Sequence, residues 1–154
     1  MQSIRHILVP TDFSAASHHA IDVASGLAKS LGASIDLFFV WHPPTLIPPG
    51  LMIMAPEPRG GGLSLEDLAK EQAELGLAEA RATLQKRGIE THVRLGVGDP
   101  AHEIIELAGA GHFELVVMAT RGRSGLPHLL LGSVAEKVVR HAQCPVVTVR
   151  QPAP

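Results

Sequence analysis

Tyrosine is absent from the 154-residue chain, and one tryptophan and four phenylalanines make up its whole aromatic complement. Large aromatic anchors therefore cannot dominate the core, which must be built from alanine, valine and leucine. A single cysteine, Cys144, excludes an intramolecular disulfide framework and suits a reducing compartment. The formal net charge is only −2, so the chain lacks the basic field that backbone-dominated nucleic-acid binding requires. No apolar run approaches the roughly 20 residues of a membrane span. The N-terminus, MQSIRHILVPTD, has neither the apolar core nor the cleavage site of a signal peptide. These absences lead us to expect one cytoplasmic domain over residues 1–154, with no nucleic-acid or membrane partner.

What is present alternates regularly. HILVP (6–10) is a short apolar run of the buried-strand type. Ser14 can cap a helix whose apolar positions, Ala20, Ala24, Leu27, Ala28 and Leu31, recur at steps of three and four, and Gly32 stands at its C′ position. ASIDLFFV (33–40) is a second strand, followed by a Pro/Gly-rich loop at 42–63. Ser64 opens a second helix with Leu65, Ala69, Ala73, Leu77, Ala80 and Leu84 on one stripe and Gly88 at its end. IETHVRL (89–95) alternates as a third strand, and Asp99-Pro100 starts a short helix through Leu107. FELVVMA (113–119), a helix over 133–142 and PVVTV (145–149) complete the pattern. Apolar strands separated by amphipathic helices imply a parallel sheet covered on both faces, and right-handed crossovers make it doubly wound. In the order 3-2-1-4-5 the winding reverses between strands 1 and 4. Ligands sit at such reversals, beyond the carboxyl ends of the strands. Pro10-Thr11-Asp12 and the stretch from Met118 would converge there.

Several motifs are decoys. GVGDPA (96–101) matches a loose dinucleotide fingerprint, but it follows the third strand and has no acid about 20 residues on. A tight turn and a helix start explain it. HEIIE (102–106) is one residue from a zinc motif and lacks a third ligand marked by spacing. His18 and His19 are helix neighbours that diverge, and the nine histidines are scattered singly. Neither G-x-S-x-G nor a Walker-type loop occurs. Cys144 reads as a small apolar residue, and no catalytic constellation emerges.

The stretch MATRGRSGLPHLLLGSVAEK (118–137) carries more chemistry. Ser133-Val134-Ala135-Glu136 reads as a capping box, with Ser133 the cap and Glu136 at N3. The same helix start offers free N–H groups and partial positive charge to an anion. Gly132 would let a phosphate approach the backbone, and Arg121, Arg123 and His128 raise the local positive potential. With ILVPTDFS at the start and GDPAHEI in the middle, this stretch and the segment through PVVTVR resemble the universal stress protein family, of the UspA-like type. The resemblance covers essentially the whole chain, residues 43–62 least.

Nucleotide-binding members of that family carry G-x2-G-x9-G-(S/T) and hold ATP in the switch-point crevice. The resemblance implies an adenine nucleotide alpha hydrolase-like fold. Pro10, Thr11 and Asp12 would then flank adenine and ribose, and Val40 would bound the adenine pocket. Met118 and Ala119 would lie by the ribose, with Gly122, Arg123, Gly132, Ser133 and Val134 at the phosphates. Mg2+ would come with the triphosphate rather than from a protein cage. Ala119 departs from the pattern's first glycine and gives up cheap access to positive φ. The last strand, Pro145–Val149, is a short apolar edge whose antiparallel pairing across a two-fold axis would close a homodimer. The resemblance implies the same dimer. The function expected is a stress-response regulator in which ATP occupancy sets the conformation shown to a partner protein. A nucleotide-free dimeric interaction module and a slow ATP hydrolase are the alternatives. For the apolar cluster Leu51–Met54, a flap, a second partner surface and local packing all stay open.

Overall fold

The computed structural model describes residues 3–42, 65–121 and 131–152. Five strands and four helices alternate: β1 (His6–Pro10), α1 (Ala15–Leu31), β2 (Ser34–Trp41), α2 (Leu65–Lys86), β3 (Thr91–Val97), α3 (Pro100–Ala110), β4 (Leu115–Ala119), α4 (Ser133–His141) and β5 (Val146–Val149). All pairings are parallel, and the sheet order is β3-β2-β1-β4-β5, as expected. β1 lies at the centre, with Ile7 opposite both Ile35 and Leu115.

Strand alternation divides the core into two layers. Ile7, Val9, Ile35, Leu37 and Val117 pack with Ala20, Ala24, Leu77 and Leu84 of α1 and α2. Leu8, Phe38, Val116 and Met118 pack on the other face with Ile104, Ala108, Ala135 and Val138 of α3 and α4. Alanine in the α1 stripe lets that helix approach the sheet closely. Leu31, counted in that stripe, is instead 47% exposed on the last turn, and Ile21 is buried in its place. Gly32 takes the left-handed cap conformation (φ 66) that its position implied.

Other boundaries shift for identifiable reasons. β3 begins two residues later than the alternation suggested and runs through Gly96 to Val97. Ile89 is used before the strand, buried in the turn that leaves α2, with its N–H bonded to the Leu84 carbonyl. Gly96 reads as a breaker in sequence but belongs to the ladder opposite Val40. A Cβ there would lie 2.8 Å from the Phe38 ring, so the aromatic fills the space the glycine leaves. α3 continues past Leu107 to Ala110. Ser64 and residues 43–63, with the apolar cluster Leu51–Met54, lie outside the described residues.

Asp36, 4% exposed in the middle of β2, is matched by Arg94 on β3, Nε to Oδ2 2.6 Å. The Arg94 guanidinium also lies 5.9 Å from the centroid of the Phe113 ring. Across the sheet, Phe13 takes a left-handed conformation (φ 60), unusual for a bulky residue. Its ring stacks on Phe39 at 5.1 Å and sits against α2 where Gly76 has no side chain. A Cβ at Gly76 would come within 2.8 Å of that ring. A mid-helix glycine costs roughly 1 kcal/mol against alanine, so its presence marks a close approach. Gly76→Val is expected to lower stability by about 1–3 kcal/mol through overpacking against Phe13. Urea unfolding measures it, and an unchanged midpoint would mean that the ring yields freely.

Candidate functional site

The winding reversal between β1 and β4 opens a cavity of about 460 Å3 at the carboxyl ends of the central strands. Its size falls within the range of small-molecule sites, roughly 300–1,000 Å3. Pro10, Thr11, Asp12, Val40, Met118, Ala119, Gly132, Ser133 and Val134 all line it. These are nine of the eleven residues that sequence reasoning assigned to a ligand. Gly122 and Arg123, with His128, lie outside the described residues. A larger groove, about 1060 Å3, runs between α1 and α2 on the opposite face and shares Asp12, Val40 and His42 with the cavity. We assign the site to the smaller cavity, because it alone reaches the start of α4 and the end of β4.

The β1–α1 turn is held by short-range bonds. Thr11 donates its N–H to the Phe38 carbonyl at 2.9 Å as β1 leaves the sheet. Its hydroxyl donates to Ser17 Oγ at 3.1 Å and accepts the Phe13 N–H at 3.1 Å. Asp12 Oδ1 accepts the Ser14 N–H at 2.9 Å, and Ser14 Oγ in turn accepts the Ser17 N–H, capping α1 as its sequence suggested. The Asp12 carboxylate is thereby fixed at the cavity wall.

The α4 end differs from the expected capping box. Gly132, not Ser133, is the N-cap residue, with extended backbone (φ −70, ψ 162) and no side-chain cap hydrogen bond. Its N–H donates to the Thr120 carbonyl at 2.6 Å, which ties the helix start to the end of β4. Ser133 is the first helical residue and exposed, and Glu136 pairs with Arg140 one turn on rather than reaching back. The register slips by one because the Gly132 carbonyl already accepts the Glu136 N–H, the first helical bond. The start of α4 is left without a capping side chain from Gly132, and Ser133, Val134 and Ala135 of its first turn line the cavity.

Ala119 is also better placed than its sequence suggested. The only non-glycine residues with positive φ among the described residues are Phe13 and His112, so Ala119 needs no left-handed freedom. Its methyl packs with the α1-side core, whereas its neighbour Met118 faces the other layer.

Sequence reasoning missed Phe38, His42, Pro100, Ile104 and Thr120, which also line the cavity. Strand parity could have found two of them: Phe38, Val40 and His42 follow one another at steps of two. Cys144 is partly buried against the α3–α4 core, and burial pushes its thiol pKa up, so the thiolate is disfavoured. Gly96 and Val97 end β3, and Asp99 caps α3 with Pro100 at its first turn, so GVGDPA is a strand end, a turn and a helix start. No described helix is long and apolar enough to cross a membrane.

Comparison with known proteins matches this arrangement. The family model for the universal stress protein family covers residues 3–150. Universal stress protein MJ0531 of Methanocaldococcus jannaschii is 33% identical over 148 residues, spanning 96% of this chain and 83% of that protein. Universal stress protein YxiE of Bacillus subtilis is 31% identical over 144 residues, spanning 94% and 97%. Among solved structures, UspA from Lactobacillus plantarum superposes with a TM-score of 0.80 at 22% identity, covering 97% of this chain and all of that one. Others of the same fold, at 24% identity or less, are complexes with cAMP, dAMP and AMP. With the family model matched over nearly its whole length, the chain belongs to the universal stress protein family.

Proposed function

We propose that the chain binds an adenine nucleotide, ATP with its Mg2+ in particular, and acts as a cytoplasmic regulatory homodimer whose occupancy sets the surface shown to a partner protein. One observation carries the reading: a single cavity joins an apolar end to a helix N-terminus whose cap residue is a glycine. Pro10, Phe38, Val40, Pro100, Ile104 and Met118 supply the apolar end, suited to a purine. The start of α4 supplies N–H groups and a partial positive charge, suited to phosphate, with Arg121 on the same wall. Proteins of the same fold that hold cAMP, dAMP or AMP support the ligand class. The ordinary backbone conformation of Ala119 at the end of β4 supports it too.

Magnitudes require both ends. Micromolar to millimolar affinity needs about 4–8 kcal/mol. A helix terminus at an exposed site supplies only about 1 kcal/mol. Burial of the base must provide much of the remainder, which explains why the apolar wall and the anion site adjoin.

Homodimerisation is proposed through the β5 edge, Pro145–Val149. Beside that edge Val147 is 37% exposed, and Val139 on α4 is 47% exposed. Pairing two β5 edges would satisfy their outer N–H and C=O groups and cover Val147.

Titration calorimetry with ATP, with and without Mg2+, is expected to give binding between micromolar and millimolar. No heat at millimolar ATP, with no nucleotide released on denaturation, would overturn the reading in favour of a nucleotide-free interaction module. Gly132→Val is expected to weaken ATP at least about tenfold, the loss of about 1.4 kcal/mol. Gly132 has ordinary negative φ, so this substitution tests space at the phosphate rather than backbone strain. Unchanged affinity would place the phosphates elsewhere. Light scattering after gel filtration is expected to give twice the chain mass, and Val147→Asp to give a monomer that still binds ATP. A monomeric wild-type protein at tens of micromolar rejects the β5 dimer.

A further inference from the structure

The parity of β2 continues past the strand's last residue. Phe38 and Val40 line the cavity, and His42, two residues further on, lines it with them. The ring of His42 has no choice of tautomer. Its Nδ1 lies 2.9 Å from the Gly98 carbonyl oxygen. A carbonyl only accepts, so Nδ1 carries a proton and donates. The acceptor is itself held in place, because the Gly98 N–H donates to the Trp41 carbonyl at 3.0 Å. Gly98 also has φ 141, a conformation open in practice to glycine alone. In the neutral ring, Nε2 is then left as a hydrogen-bond acceptor.

The surroundings reinforce that polarity. Pro10, Val40, Pro100, Ile104 and Met118 offer no side-chain donor. The Thr11 hydroxyl is spent on Ser17. His42 Nε2 is therefore an acceptor beside side chains that bring no free donor to it.

We infer that His42 is a specificity-determining residue, which selects a 6-amino purine over a 6-oxo purine by holding Nε2 as a fixed acceptor. The inference rests on the nucleotide reading above. Adenine's exocyclic amino group donates to Nε2. The O6 atom of a 6-oxo purine brings a second acceptor to the same place and leaves both unpaired. The mismatch costs most where the bound base keeps water from reaching the two acceptors.

ATP and ITP are the probes, since ITP replaces the 6-amino group with a carbonyl oxygen and carries a proton on N1. Calorimetry on the wild-type protein is expected to show ATP bound at least about tenfold more tightly than ITP. In His42→Leu the two affinities are expected to fall within about threefold of each other, ATP weaker and ITP stronger than in wild type. His42→Gln keeps a side-chain acceptor oxygen and is expected to retain a preference for ATP, with thermal unfolding showing that each variant is folded. Equal loss of both nucleotides in His42→Leu would assign His42 to holding the β2–β3 ends together and overturn the inference. An unchanged ATP preference in His42→Leu, or a wild-type preference for ITP, also overturns it while leaving nucleotide binding intact. Failure of the wild-type protein to bind either nucleotide overturns the nucleotide reading, and this inference with it.

Discussion

Between β1 and β4 the crossovers leave for opposite faces of the sheet, so no described helix closes over the carboxyl ends of those two strands. α1 and α2 cover one layer and α3 and α4 the other. A continuous parallel sheet would otherwise bury every strand end beneath the next connection. Here the gap exposes the β1–α1 turn, the end of β4 and the start of α4 to a common space. The chain brings them together through the centre of the sheet, where β1 pairs with both β2 and β4. Residues more than a hundred positions apart in sequence, such as Asp12 and Gly132, thus share one wall.

That constraint was legible in the sequence because it depends on element order, and element order follows from hydrophobic period and punctuation. Five apolar runs, the Gly32 and Asp99-Pro100 boundaries and the rule of right-handed crossovers suffice for the sheet. The cavity-lining residues that come from strand ends and helix starts were legible for the same reason. Features that depend on tertiary packing were not. Gly96 looks like the end of a strand until the Phe38 ring is seen to occupy its missing side chain. Leu31 fits the α1 stripe in one dimension but falls on the turn that leaves the sheet. The capping box failed by a single residue. Ser-x-x-Glu forms a box only with Ser133 as the cap, and the bond from the Glu136 N–H to the Gly132 carbonyl places the cap one residue earlier.

One strained residue directly follows the cavity wall. Phe13 in a left-handed conformation costs on the order of 1–2 kcal/mol, and the mid-helix Gly76 about another 1. Neither would persist unless the surroundings over-determined them. The stacking of Phe13 on Phe39 and the bond from its N–H to Thr11 Oγ1 do so. Phe13 directly follows Asp12, so the geometry of a cavity-wall carboxylate is set partly by an aromatic contact in the opposite layer. The two faces of the sheet are coupled at this one turn.

The placement of glycine at the start of α4 bears on the same economy of interactions. A serine at the N-cap would satisfy one first-turn N–H and fill the space an anion needs. Glycine in that position weakens a helix by only a few tenths of a kcal/mol relative to serine. An anion at the helix end returns about 1 kcal/mol, and more where the site is partly buried. The Gly132-Ser133 order therefore stabilises the liganded state more than it weakens the empty helix. Reversing that order would favour the empty one. On the proposed nucleotide reading, the one-residue displacement of the cap is what leaves room for a phosphate at the helix start.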